Sequence, residues 1–379
     1  MKILHSRMPR LYSAYKQEYD EAILSSLCLE REFTGPIVES FENRIAKLTN
    51  RKYAVCTLTC TLALYFACRA VSIVEGFGKN ILSQAYVHIS PVSQAMAAGF
   101  NVYLNDIDEY ANISLTNDYD VDFSCIIFAG LFGNTIDYDE LEKFKNKFNI
   151  RYSIDDNAQS FGSFWKGNPA ASYADISCIS FDVRKVLTSP FGMGGMCLTD
   201  NEELYNLIKS FRAYGSVTGS VGADQKTDYI GGTNGYLPQQ LVAALMVSLD
   251  HFEEELIRRK EIWRYYRESL SDLPLDFIDP HPNTWSCSSK FPILLKNREE
   301  KCKLFDHFIS KEIIVSQNFP NRPLNSYGLM FPGSSLICDG NINRSNEYCD
   351  RVLTLPIHPH LTDYEVETVV ETLTRYLKG

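Results

Sequence analysis

No apolar run in this 379-residue chain approaches the roughly 20 residues a membrane span needs. Cations do not outnumber anions either. Lys and Arg total 37 against 47 Asp and Glu, a formal net charge of −10. Without clustered cations, the counterion release that drives general nucleic-acid or anionic-membrane binding is missing. A local positive site for a small anion stays open. The 11 cysteines show no CxxC or CxxH spacing. That pattern argues against a zinc site or any other metal centre and fits reduced thiols of a cytoplasmic protein, most of them small buried apolar residues. The first twenty residues hold no uninterrupted apolar stretch, so no signal peptide is expected. Internal repeats and low-complexity segments are missing as well.

What is present is ordinary globular material, 45% hydrophobic and 22% charged. The length allows one large domain and a smaller one. We place them at residues 1–250 and 251–379, with the first twenty or so residues, an arm or first helix, packing with the small domain. Thr34-Gly35-Pro36 is turn chemistry, and Ile37, Phe41, Ile45 and Leu48 then follow helical spacing. Tyr53–Val55 reads as a short strand that feeds an apolar helix through Thr59, Cys60 and Thr61. Such a junction offers free backbone N–H groups and a positive helix end to a phosphate. Simple N-capping by Thr59 or Thr61 is the commoner use of those residues.

From residue 80 to about 200, strand and helix patterns alternate. That predicts an α/β fold, a doubly wound and mainly parallel sheet covered by helices, with ligands at the carboxyl ends of the strands. A polar glycine-rich loop is expected over 216–235, and loops of that length inside a domain are usually functional or flexible. One long helix is expected from about Pro238 to Leu270, and a proline-rich boundary over 274–283. The last third reads as α+β, with strands at 289–295 and 312–316 and helices at 299–310 and 362–377.

The chemistry concentrates in Tyr152–Met196. Asp155 and Asp156 follow a β-type run, Gln159 comes three residues later, and Ser180 and Lys185 sit in and beyond a second run. A lysine buried there is costly unless it is neutralised, paired or covalently used. Singly, each residue has a plainer reading: a cap or turn for Asp155-Asp156, a solvated pair for Arg184-Lys185, a bend for Gly192, Gly194 and Gly195. Jointly they supply what an electron-poor heteroaromatic ring needs. Asp156 holds a ring nitrogen protonated, Gln159 reaches a ring oxygen, Ser180 and the Cys60-Thr61 turn seat a phosphate, and Lys185 forms a Schiff base and shuttles a proton.

These segments resemble the pyridoxal-phosphate-dependent nucleotide-sugar aminotransferases of the DegT/DnrJ type, which have the aspartate-aminotransferase fold (fold type I). The likeness runs through GPIVESFENRIAKL, KYAVCTLTCTLAL, GFNVYLNDID, IDDNAQSFGSFWKG, DISCISFDVRKVL, GMGGMCLTDNEEL, GGTNGYLPQQ and VLTLPIHPHLTDYEVETVVETL. The resemblance implies pyridoxal 5′-phosphate as cofactor, with Lys185 and Asp156 catalytic. It implies that Cys60, Thr61, His88, Asp156, Gln159, Ser180, Lys185 and Asn234 bind that cofactor. His88 would stack on the ring, and Asn234 would reach the phosphate of a partner subunit, so a homodimer is implied. The implied reaction moves an amino group from L-glutamate to a nucleotide-linked keto-sugar, expected to be a 4-keto-6-deoxyhexose, in nucleotide-sugar, O-antigen or glycan biosynthesis. A 3-keto-sugar, another fold-type-I reaction, and a regulatory protein that has lost catalysis are the alternatives. Cys60 stands where the family has glycine, His88 where it has Phe, Trp or Tyr, and Tyr236 where Arg or Lys is common. A dehydratase branch carries histidine at the lysine position, and Lys185 argues against it.

Overall fold

The computed structural model describes residues 2–28, 35–216, 230–317, 322–328, 331–338 and 340–378. Thr34 and most of the polar loop expected over 216–235 lie outside them. Seven strands build the main sheet: β1 (Tyr53–Thr57), β2 (Asn80–Gln84), β3 (Asn101–Asn105), β4 (Cys125–Ala129), β5 (Tyr152–Asp156), β6 (Ile176–Ser180) and β7 (Gly195–Thr199). They lie in the order β1-β7-β6-β5-β4-β2-β3, and Leu336–Ile337 extends the β3 edge. All neighbours pair in parallel except β7, which runs antiparallel to both β1 and β6. Strands β4, β5 and β6 are buried at every position. Helices cover both faces, and that is why these strands read as continuous β-type runs rather than alternating ones.

Helix α1 (Cys60–Glu75) packs along one face and buries Ala63, Leu64, Phe66 and Ala67 in the largest apolar cluster. Helix α2 (Ile89–Ala97) lies beside it. On the opposite face, Phe41, Phe161, Phe181 and Leu245 anchor a second cluster.

A three-stranded antiparallel sheet, Asp276–Phe277, Phe291–Leu294 and Val352–Leu355, forms a separate layer with its own apolar cluster. Ile3 belongs to that cluster and bridges Ile313, while Arg10 pairs with Glu365. The first residues therefore pack against the last third of the chain.

Two elements differ from the sequence expectation. The long helix is two, Gln239–Asp250 and Phe252–Ser269, broken at His251. No glycine or proline marks the break. Instead the His251 ring stacks on Tyr15 at 3.8 Å and pairs with Glu18 at 2.8 Å, contacts made from 230 residues away in sequence. The strand expected at 312–316 is reduced to isolated bridges at Ile313 and Ser316, because the segment takes one partner from the N-terminal arm and another from Thr354.

Candidate active site

The three strands β1, β7 and β6 place Thr57, Gly195 and Ser180 in one row across the sheet. Just above that row α1 begins. Thr59 caps it by accepting the Leu62 amide at 3.2 Å. Capping is thus done by Thr59, and the Thr61 hydroxyl lies 3.3 Å from Ser90 Oγ instead. A Cβ on Gly195 would stand 2.4 Å from both the Cys60 nitrogen and the Thr59 carbonyl carbon, so only glycine lets the helix start sit this low on the sheet. Helix α2 opens nearby with His88 as its cap. The His88 Nδ1 accepts the Ser90 amide at 3.2 Å. Burial, then Lys185 and Lys290, lower the His88 pKa, which favours the neutral ring that such a cap requires.

Asp155 and Asp156 are neighbours on β5 and so point to opposite faces. Asp155 accepts the Tyr138 hydroxyl at 2.8 Å, and burial pushes it up to about 7. Asp156 accepts the Ala158 amide at 3.1 Å and lies 3.9 Å from the Cys60 thiol. Burial raises the Asp156 pKa, and the charge of Lys185 opposes that rise. The Gln159 Oε1 accepts the Phe132 amide at 3.1 Å. With its acceptor end committed, Gln159 has its Nε2 donor left for a ligand.

After Ser180 the chain turns back on itself. The Phe181 amide donates to Gly194 O at 3.0 Å and the Lys185 amide to Asp182 O at 3.0 Å. Gly192 sits at φ +59°, where a Cβ would run into Val183 Cγ1 at 2.1 Å. The glycine cluster is thus a packing requirement of the turn that carries Lys185.

A cavity of about 350 Å³ opens over this row. It brings together Cys60, Thr61, His88, Asp156, Gln159, Ser180 and Lys185. Asn234 does not join them: it is exposed, on a segment bridged to Ala213. Tyr236 is buried, with the Arg212 guanidinium 5.4 Å from its ring centroid. Ser289 and Lys290 line the cavity too, and sequence reading missed both. They arrive from a loop a hundred residues downstream that reads only as the start of a strand.

The chemistry of this donor set fits pyridoxal 5′-phosphate. A buried carboxylate suits a protonated ring nitrogen, and an amide donor suits a ring hydroxyl. Two hydroxyls beside a helix start suit a phosphate, and a primary amine suits an aldehyde. Among the described residues no helix is long and apolar enough to cross a membrane, and no cluster of His, Cys, Asp or Glu has the makings of a metal site.

Known proteins resemble this chain over nearly its whole length. UDP-2-acetamido-2-deoxy-3-oxo-D-glucuronate aminotransferase of Pseudomonas aeruginosa is 24% identical over 95% of this chain and 96% of its own. UDP-4-amino-4,6-dideoxy-N-acetyl-beta-L-altrosamine transaminase of Campylobacter jejuni is 25% identical over 91% of this chain and 90% of its own. Among solved structures, a DegT DnrJ EryC1 StrS aminotransferase from Brucella abortus superposes with a TM-score of 0.89 at 20% identity, covering all of both chains. The model of one family matches residues 14–374, and with it the chain is placed: it belongs to the DegT/DnrJ/EryC1/StrS aminotransferase family.

Proposed function

We propose that this enzyme, a pyridoxal-phosphate-dependent aminotransferase, moves an amino group from L-glutamate to a 4-keto-6-deoxyhexose carried on a nucleoside diphosphate. One observation carries the reading: Lys185 and Asp156 line a single cavity that the N-terminus of α1 also enters. The bound cofactor supplies a conjugated ring that takes up the electron pair left when a proton departs from the substrate carbon. Asp156 keeps its carboxylate against the ring nitrogen and favours the protonated ring. Gln159 donates from Nε2 to the ring hydroxyl. Thr61, Ser180 and the first amides of α1 hold the phosphate, where the helix end favours negative charge. Lys185 Nζ would take the proton from the substrate carbon and deliver it beyond the transferred nitrogen, to the carbon that had carried the cofactor's aldehyde.

Asn234 is exposed and away from its own cavity, which supports a role at the cavity of a second copy in a homodimer. The relatives include an aminotransferase named for a 3-oxo sugar and a transaminase named for a 4-amino sugar, so a 3-keto acceptor is the second reading. The test is a screen of dTDP-, UDP- and GDP-linked 3-keto and 4-keto sugars with ¹⁵N-labelled L-glutamate. Label in a 4-amino-6-deoxy product supports the first reading, and label confined to 3-amino products replaces it with the second. No transfer to any keto-sugar rejects both.

A further inference from the structure

The motif Leu355-Pro356-Ile357-His358-Pro359-His360 has no part in the site above. Its polar groups turn to the start of the chain and to the helix Phe252–Ser269. His358 Nε2 donates to Leu4 O at 3.1 Å, and burial lowers the His358 pKa to about 3, so the ring is neutral. His360 O accepts Arg10 at 2.7 Å, Pro356 O accepts the Tyr266 hydroxyl at 2.9 Å, and Ile357 O accepts Arg259 at 3.0 Å. Just before the motif, Thr354 Oγ1 lies 3.3 Å from His5 Nε2. Ile3 adds backbone bonds to Glu312 and Ile314, both at 2.9 Å. The small antiparallel sheet and the motif that leaves it therefore grip residues 3–10.

What the gripped arm holds in turn is the backbone beside Lys185. Arg7 is 2% exposed. One end of its guanidinium pairs with Glu255, equally buried, and the other donates to Val186 O at 3.0 Å. Glu255 is also approached at 3.5 Å by the Tyr15 hydroxyl and by His360 Nε2 of the motif. Charge is thus balanced by Glu255, and the planar fork is what reaches the turn. Within that turn, the Lys185 amide donates to Asp182 O and Thr188 Oγ1 to Phe181 O at 2.8 Å. Arg7 ties the same turn from outside, one residue beyond the lysine. His5 and Arg7 line a narrow cavity of about 20 Å³ together with Arg184 and Lys185, so the arm stands directly against the lysine.

We infer that Arg7 is a positioning residue for Lys185, set in place by the Leu355–His360 motif through the N-terminal arm. The inference rests on the aminotransferase reading and adds to it a task for the motif. The small sheet fixes the arm, the arm fixes Val186, and the Lys185 amine is thereby aligned with the substrate carbon whose proton it takes. Misalignment slows that proton step more than it weakens substrate binding.

The test follows cofactor absorbance in the donor half-reaction of holoenzyme, with L-glutamate and with L-glutamate deuterated at Cα. Arg7→Lys keeps a cation for Glu255 and gives up the fork. Its rate at saturating L-glutamate is expected to fall about tenfold, with the half-saturating concentration changed less than about twofold. The deuterium effect should rise, while cofactor content and melting temperature stay near wild type. Replacing the pair together, Arg7→Met with Glu255→Gln, avoids a lone buried carboxylate and should give the same kinetic signature. His358→Ala should give it more weakly, and His358→Gln, which keeps a donor for Leu4 O, should restore the rate. Folded, cofactor-loaded Arg7→Lys and Arg7→Met/Glu255→Gln proteins with the wild-type rate and deuterium effect overturn the inference, whatever their stability, and leave the aminotransferase reading standing. Wild-type protein that takes up no pyridoxal phosphate overturns both.

Discussion

Cys60 Sγ lies 3.9 Å from Asp156 Oδ1, so the first residue of α1 touches the last residue of β5 at the base of the cavity. Both groups are buried, and burial pushes the thiol pKa well up. The thiol therefore stays protonated, a weak donor to the carboxylate. Asp156→Asn removes the charge without changing shape. Its kcat is expected to fall about 10²-fold or more, with the cofactor still bound. Stopped-flow absorbance of the donor half-reaction checks this. A wild-type rate would show that Asp156 does not govern the ring.

Lys185→Ala is expected to abolish transamination. The lysine is half-buried and makes no part of the apolar clusters, so thermal unfolding should stay within a few degrees of wild type. Turnover retained by the purified variant would remove Lys185 from the mechanism.

Thr59 and Thr61 should separate cleanly. Thr59→Ala deletes the cap of α1 and is expected to cost about 1 kcal/mol in urea unfolding of the apoprotein. Thr61→Ala should leave that stability nearly untouched and weaken pyridoxal phosphate binding instead. Equal effects on both measurements would mean that the two hydroxyls share one role.

A mixing experiment tests the dimer. Lys185→Ala and Asn234→Ala chains are each expected to be impaired alone. In a random mixture half the dimers are mixed, and each mixed dimer holds one intact site, so about a quarter of all sites should recover. No recovery after subunit exchange would place Asn234 outside the partner's site.

Lys290 makes stability depend on pH in a definite direction. Its folded pKa is lowered to about 7 from the ordinary lysine value of 10.5. Between those values the unfolded chain binds the extra proton, so stability rises with pH. Below about pH 7 the full penalty of the buried charge is present. The charges of Lys185 and Arg184 act on the group in the same direction as burial. Lys290→Met should raise the melting temperature of the apoprotein most at pH 6 and least near pH 10. A pH-independent difference would show that Lys290 stays charged throughout.

The sequence made the local part of this site readable. Asp156 and Gln159 share one strand end, and Ser180 and Lys185 share the next, so a few residues of spacing carry the chemistry. The alternation of patterns also disclosed the mainly parallel sheet. Long-range consequences were not readable. The antiparallel run of β7 follows from its placement between β1 and β6, which no residue of Gly195–Thr199 announces. The break at His251 comes from Tyr15 and Glu18. Ser289 and Lys290 enter the cavity because Cys287 is tied to Ser163 and Gln159, a contact between residues over 120 apart in the chain.

The row Thr57-Gly195-Ser180 has a consequence for biosynthesis. β1 is made early, but its neighbour in the sheet is β7, which emerges about 140 residues later. Until that strand threads between β1 and β6, the start of α1 has no floor and Ser180 no fixed distance from it. A ribosome-bound chain ending before residue 195 therefore carries Lys185, Asp156 and Thr61 and yet has no phosphate seat. The two outer members of the row, Thr57 and Ser180, are joined only through Gly195.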